Sequence, residues 1–137
     1  MADATHARLI RISAAVIVDT ENRVLLVRKR GTTAFMQPGG KVNPDESTLD
    51  ALRRELAEEL GVTVLASQTR ALGRYVAEAA NEPDHMVDAD LFMVTLDDEP
   101  RAAAEIDEIA WVDLAAPGDV RLAPLTKHTV LGLLLTP

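Results

Sequence analysis

Three glutamates, Glu55, Glu58 and Glu59, fall within five consecutive residues and are the part of this sequence best suited to hard-cation chemistry. If the segment is helical, spacings of three and four set these carboxylates on one side of the helix, spread over about 100° at 100° per residue. Like charges so placed repel by about a few tenths of a kcal/mol per pair. Ala51 falls on the same side and leaves room above them. Such a face is either a solvated acidic surface or a cage for a divalent cation, which removes the repulsion and demands oxygen ligands. Gly39 and Gly40 precede the segment, and a carbonyl in a glycine turn could add another oxygen ligand. Glu46 and Arg54 carry opposite charges at the start and middle of the same stretch.

In order, the stretch reads Gly40, five residues, Glu46, seven residues, then Arg54-Glu55-Leu56-Ala57-Glu58-Glu59-Leu60-Gly61-Val62. Across residues 40–62 this resembles the signature of the Nudix hydrolases, in its MutT-like single-domain form, and all nine constrained positions match. The resemblance implies hydrolysis of a pyrophosphate bond in a nucleoside diphosphate linked to another moiety, with Mg2+ or Mn2+ as cofactor. It assigns Glu55, Glu58 and Glu59 as metal ligands assisted by the Gly39 carbonyl, with Glu55 also the candidate general base. Glu46 and Arg54 become an ion pair holding the loop to the helix, and Gly61 a helix terminator. A further glutamate from a later loop often completes such sites, and here Glu105 and Glu108, shortly before Trp111, both qualify. The implied fold is a Nudix-type α/β/α sandwich with a mixed curved sheet between helices.

The elements that must carry these residues are legible from periodicity. Leu49, Leu52, Leu56 and Leu60 form one apolar stripe and predict a helix over 47–60. Ser47 with Asp50 resembles a capping box, and Gly61 supplies the stop. Residues 8–18 and 23–28 are β-branched and leucine-rich, so they read as a β-hairpin or adjacent strands, and unbroken apolarity at 14–18 predicts a strand covered on both faces. Further strands are expected at 63–66, 72–77, 87–96 and 109–114. A terminal helix is expected over 126–134, with Leu125, Val130, Leu133 and Leu134 inward. Mixed strands and helices without a repeat or linker indicate one α/β or α+β domain over residues 1–137.

Composition narrows the partners. The chain has 137 residues, no cysteine and a formal charge of −8, with only four aromatic residues. Absent cysteines exclude thiol catalysis and thiolate metal sites. An acidic, aromatic-poor chain is a poor holder of a nucleic-acid polymer or of an anionic membrane surface. The N-terminus has no signal-peptide pattern, and no apolar run has the length of a membrane span, so a cytoplasmic protein is expected. The expected partner is a small nucleotide, and a homodimer stays open.

Arg28, Lys29 and Lys41 are the candidate phosphate contacts, with alternation setting Lys29 opposite Arg28 and Arg30. Phe35 and Tyr75 either stack on a base or belong to the core, and His6, His85 and His128 are too scattered for a metal site. The downstream proline and tyrosine markers of branches acting on ADP-ribose or dinucleoside polyphosphates are missing, since Ala77 and Ala79 stand there. Nucleoside triphosphates are therefore the favoured substrates. Nucleotide sugars or dinucleoside polyphosphates are the alternative, and a non-catalytic nucleotide sensor is the alternative of another class.

Overall fold

The computed structural model describes residues 8–113 and 115–135. Six strands and a long helix follow in the order β1 (Arg8–Val16), β2 (Arg23–Lys29), β3 (Gly39–Lys41), α1 (Thr48–Leu60), β4 (Thr69–Glu78), β5 (His85–Val94) and β6 (Ile106–Asp113). A π-helical turn at Thr126–Val130 then runs into a short helix, α2 (Leu131–Leu135).

The mixed sheet expected from the sequence is present, with strand order β3-β1-β5-β4, and β2 pairs with β6 in a second, two-stranded sheet. The first two runs, expected as a β-hairpin or adjacent strands, meet as a hairpin only at the turn, while the strands beyond it take other partners. β1 runs parallel to β5 and antiparallel to β3, and the turn region contributes the Val18–Val24 bridge with the Leu25 N–H donating to the Ile17 carbonyl and the Asp19 N–H to the Arg23 carbonyl, both at 2.9 Å. Side-chain alternation explains why the runs 14–17 and 24–27 are apolar without a break. Ala15 and Ile17 of the first run and Leu25 and Val27 of β2 face Leu52, Leu56 and Leu60 of α1. Their neighbours Ala14, Val16, Val24 and Leu26 face Leu125 and Val130 on the opposite side. Each strand is thus buried on both faces, the arrangement that produces continuous rather than alternating apolarity.

Helix α1 begins and ends where its caps dictate. The Ser47 hydroxyl accepts from the Asp50 N–H at 3.1 Å, and Gly61 adopts φ 68°, the left-handed conformation that lets its N–H close on Ala57. The strand expected at 63–66 is absent. Val62 and Val64 are buried there, but the Thr63 N–H donates to the Asp98 carboxylate and the Val64 carbonyl accepts from Arg53 Nε. Side chains therefore satisfy a backbone that needs no neighbouring strand. At the C-terminal end Leu125 and Val130 are buried as expected, whereas Leu133 is 38% exposed, because the π turn rotates the following residues off the 3.6 period. His6 lies outside the described residues, as does Leu114 at the end of the strand expected over 109–114. Among the described residues no helix is long and apolar enough to cross a membrane.

Candidate active site

The glycine turn is fixed first. Gly39 and Gly40 form β3 with Lys41 and pair with Ala14 and Ser13 of β1. Gly39 has φ 144°, and a side chain there would collide with the Ser13 carbonyl. Only glycine fits this approach. The Ser13 hydroxyl, fully buried, donates to the Thr48 carbonyl at 2.7 Å and so ties β1 to the first turn of α1. Sheet, glycine turn and helix are locked together before any carboxylate is placed.

On that frame, Glu59 is only 5% exposed and accepts from the Gly39 N–H at 3.1 Å. Burial pushes its carboxyl up to about 7. The neighbouring charges of Glu55 and Glu105 push the same way, while the Gly39 N–H and Lys29 oppose the shift. Glu55 lies against Gly40, where an added methyl would stand within 2.7 Å of both carboxylate oxygens. Glu58 is the outermost of the three, with 54% of its side chain exposed.

Arg54 organises the open side. Its Nε and Nη2 form a fork on Glu46 at 2.7 and 2.9 Å, Nη2 also donates to the Lys41 carbonyl, and Nη1 donates to Glu55 at 2.8 Å. Glu46 additionally accepts from the Asn43 N–H. The Arg54 guanidinium, with that N–H, holds the Glu46 carboxyl down to about 2. Such a two-pronged pair fixes direction as well as charge, so Arg54 sets where Glu55 points.

Among the described residues, no three carboxylate or imidazole groups converge as a ready coordination sphere. Arg54 is the physical reason, since it draws Glu55 to itself and stands 3.7 Å from Glu58. The donor chemistry nevertheless fits a hard divalent cation. Three glutamates stand on one helix, and Glu59, its carboxyl raised by burial first and by Glu55 and Glu105 second, is a group whose charged form a nearby cation would favour.

A cleft of about 490 Å³ opens beside the turn, lined by the same Gly39 and Gly40 that touch Glu59 and Glu55. Its charged lining residues are Lys29, Arg30, Lys41, Glu82 and Glu105. The structure thereby separates residues that sequence left together. Glu105 lines the cleft, whereas Glu108 pairs with Arg28 at 3.2 Å. Arg28 itself bonds Asp107, Glu108 and the Thr32 carbonyl, stapling β2 to β6, and does not line the cleft. Arg30 was expected on the Arg28 face. It lies instead with Lys29, because the β2–β6 register shifts between Arg28 and Lys29 and the strand ends there. Phe35 and Tyr75 pack partly buried against the core cluster around Leu26 and Leu91, and the Tyr75 hydroxyl donates to the Leu72 carbonyl. The core reading of both aromatics is the one the structure supports. His85, the half-buried first residue of β5, bonds the Pro83 carbonyl through its ring Nδ1, apart from the glutamates.

Arg30 stands out in the sequence only as one of three basic residues at a strand end, read equally as phosphate contacts or as a solvated edge, and neither Gln37 nor Thr126 carries a signal. Gln37 is buried in the cleft wall and bonded to Thr126, and no local pattern marks such a pair.

The family model described as NUDIX domain matches residues 9–130. The 8-oxo-dGTP diphosphatase of Proteus vulgaris is 34% identical over 90 residues, which is 63% of this chain and 76% of that protein. The CTP pyrophosphohydrolase of Escherichia coli is 35% identical over 79 residues, and the match spans 55% of this chain and 53% of that protein. In three dimensions the crystal structure of the MutT protein of Methanosarcina mazei superposes with a TM-score of 0.74 at 25% identity, covering 94% of each chain.

Proposed function

We propose, from the premise that the chain belongs to the Nudix family, that it is a divalent-metal-dependent pyrophosphohydrolase of small nucleotides, with nucleoside triphosphates as the favoured substrates. The observation that carries this reading is the junction of two opposite charges. Glu55 and Glu59 meet the Gly39–Gly40 turn, and the cleft beginning at that turn is lined by Lys29, Arg30 and Lys41. A polyphosphate is the ligand class that needs both, since its oxygens require cations and its hydrolysis requires an activated water.

In this reading Lys29, Arg30 and Lys41 hold the phosphate chain, and Arg28 serves the sheet rather than the substrate. Glu55, Glu58 and Glu59, with Glu105 from the loop before β6 and the Gly39 carbonyl, would hold Mg2+ or Mn2+, which supplies charge neutralisation and a more acidic water. Glu55 takes the proton of the attacking water. Arg54 and Glu46 keep Glu55 aimed at the turn, and Gly61 ends the helix directly after the glutamates. All of these residues come from one chain. The substrates named for the relatives, CTP and 8-oxo-dGTP, are nucleoside triphosphates, and the same chemistry would place the protein among free nucleotides in the cytoplasm.

Release of phosphate and pyrophosphate across a panel of nucleoside triphosphates, nucleotide sugars and dinucleoside polyphosphates, with magnesium and then manganese, tests the proposal. Metal-dependent turnover of triphosphates above the other classes is the expected result. Faster turnover of a sugar or dinucleotide substrate would replace the substrate class. Saturable nucleotide binding without turnover under either metal would make the domain a sensor instead.

A further inference from the structure

The apolar part of the cleft holds one buried amide whose orientation is fully determined. Gln37 is 6% exposed and lies between β3 and the C-terminal π turn. Its Nε2 donates to the Ala15 carbonyl of β1 at 2.9 Å. That carbonyl can only accept, so the nitrogen must face β1 and the oxygen must face away. The oxygen accepts from the Thr126 hydroxyl, also at 2.9 Å, and Thr126 is fully buried. Two buried bonds from opposite sides therefore prevent the amide from turning end for end.

These bonds leave capacity unspent. A primary amide has two N–H donors and two oxygen lone pairs, and one of each is used. The residual exposure of Gln37 is on the cleft, which it lines together with Ile12, Met36 and Val87. A shallow extension of about 70 Å³ shares those four residues and continues to Leu125 and Thr126. Among the described residues lining either space none is aromatic. A planar group bound there meets aliphatic walls, which hold any base equally, so discrimination must come from a polar group at fixed geometry. The polar residues that share these spaces at the same side, Glu78 at the end of β4 and Asn81 and Glu82 on the β4–β5 loop, are exposed, whereas Gln37 is buried and clamped. The clamp itself is unusual, since Thr126 opens the π-helical turn, a widened geometry often retained at functional positions.

We propose that Gln37 reads the hydrogen-bonding edge of the substrate's nucleobase, and that Thr126 is the positioning residue that fixes which end of the amide faces it. This rests on the reading of the site as a nucleotide site and adds the basis of its selectivity. The base lies against Ile12, Met36 and Val87, with its phosphates toward Lys29, Arg30 and Lys41. One N–H and one lone pair of Gln37 then face a base edge that carries an adjacent acceptor and donor.

The test compares binding of α,β-methylene nucleoside triphosphates with binding of tripolyphosphate, which has no base, by calorimetry on the full chain in magnesium. In the wild type the preferred nucleotide should bind at least about tenfold tighter than tripolyphosphate, with a clear order among bases. In Gln37→Leu the ratio of nucleotide to tripolyphosphate affinity should fall by about tenfold or more, because the base edge then meets an apolar side chain. Thr126→Val keeps shape while releasing the amide, and should flatten the order among bases by about threefold to fivefold. A ratio within about twofold of wild type in Gln37→Leu, with an unchanged thermal midpoint, would overturn the inference. An unaltered order in Thr126→Val would overturn the positioning part, and that variant decides alone if Gln37→Leu does not fold. Base-selective binding without turnover would overturn the hydrolase reading and leave this one standing. Turnover with base-indifferent binding would do the reverse.

Discussion

Glu59 should make the metal-free protein lose stability as pH rises, against the trend set by its other perturbed carboxylates. In the unfolded chain Glu59 releases its proton near 4.5, whereas burial among Glu55 and Glu105 keeps it protonated to about 7 in the fold. Between those values the folded state binds more protons, so raising pH favours unfolding. The stabilisation is complete below about 4.5 and gone above about 7. A shift of this size corresponds to about 3 kcal/mol at 1.36 kcal/mol per pH unit. For a chain of this length that is on the order of 10 °C in the thermal midpoint. Asp19, Glu46 and Asp88 are all held below their ordinary values. Their stabilisation is lost only as pH falls through the carboxylate range, on the other side of the window. Thermal or urea unfolding in chelator at pH 5, 6, 7 and 8 should therefore show a steep decline for the wild type. In Glu59→Gln the amide oxygen can still accept from Gly39 but has no proton to release, so the decline should largely vanish. Magnesium favours the carboxylate and should restore the wild type at pH 8 while doing little for the variant. Parallel curves for the two proteins between pH 5 and 8 would refute the argument that Glu59 is buried against like charge.

Glu59→Gln should also raise the metal concentration needed for turnover and recover partly at high magnesium. Glu55→Gln should not recover, with a loss of about 10²–10⁴-fold at saturating metal, and a loss under about tenfold would move the base to Glu105. Gly40→Ala should keep its fold, because the added methyl meets only the movable end of Glu55, yet kcat/KM should fall by about 10²-fold from the displaced carboxylate. Glu105→Gln should raise the magnesium requirement while Glu108→Gln leaves it alone, since Glu108 is engaged by Arg28. Equal effects in a magnesium titration would show that the two loop acids are interchangeable.

Local chemistry made the functional helix legible. Ser47, the leucine stripe and Gly61 set its ends and inward face by capping and periodicity, interactions spanning a few residues. Because 3.6 residues make a turn, the same stripe also decided that Glu55 and Glu59 share a side with Ala51. The glycine turn was readable for a similar reason, since Gly39 marks a conformation other residues resist. Apolarity on both faces of β1 was readable too, but its partners were not. Nothing in residues 8–29 shows that β1 runs beside β5 while β2 runs beside β6, because many strands satisfy the same alternation and only the closed core selects among them. That selection divides the sites. It moves Arg28 and Glu108 into a sheet staple and leaves Lys29, Arg30 and Glu105 on the cleft. It also joins Gln37 to Thr126 across 89 residues of sequence. A buried amide and a buried hydroxyl each look like a loop or helix residue alone, and their pairing exists only where packing removes both from water and leaves each the other's partner.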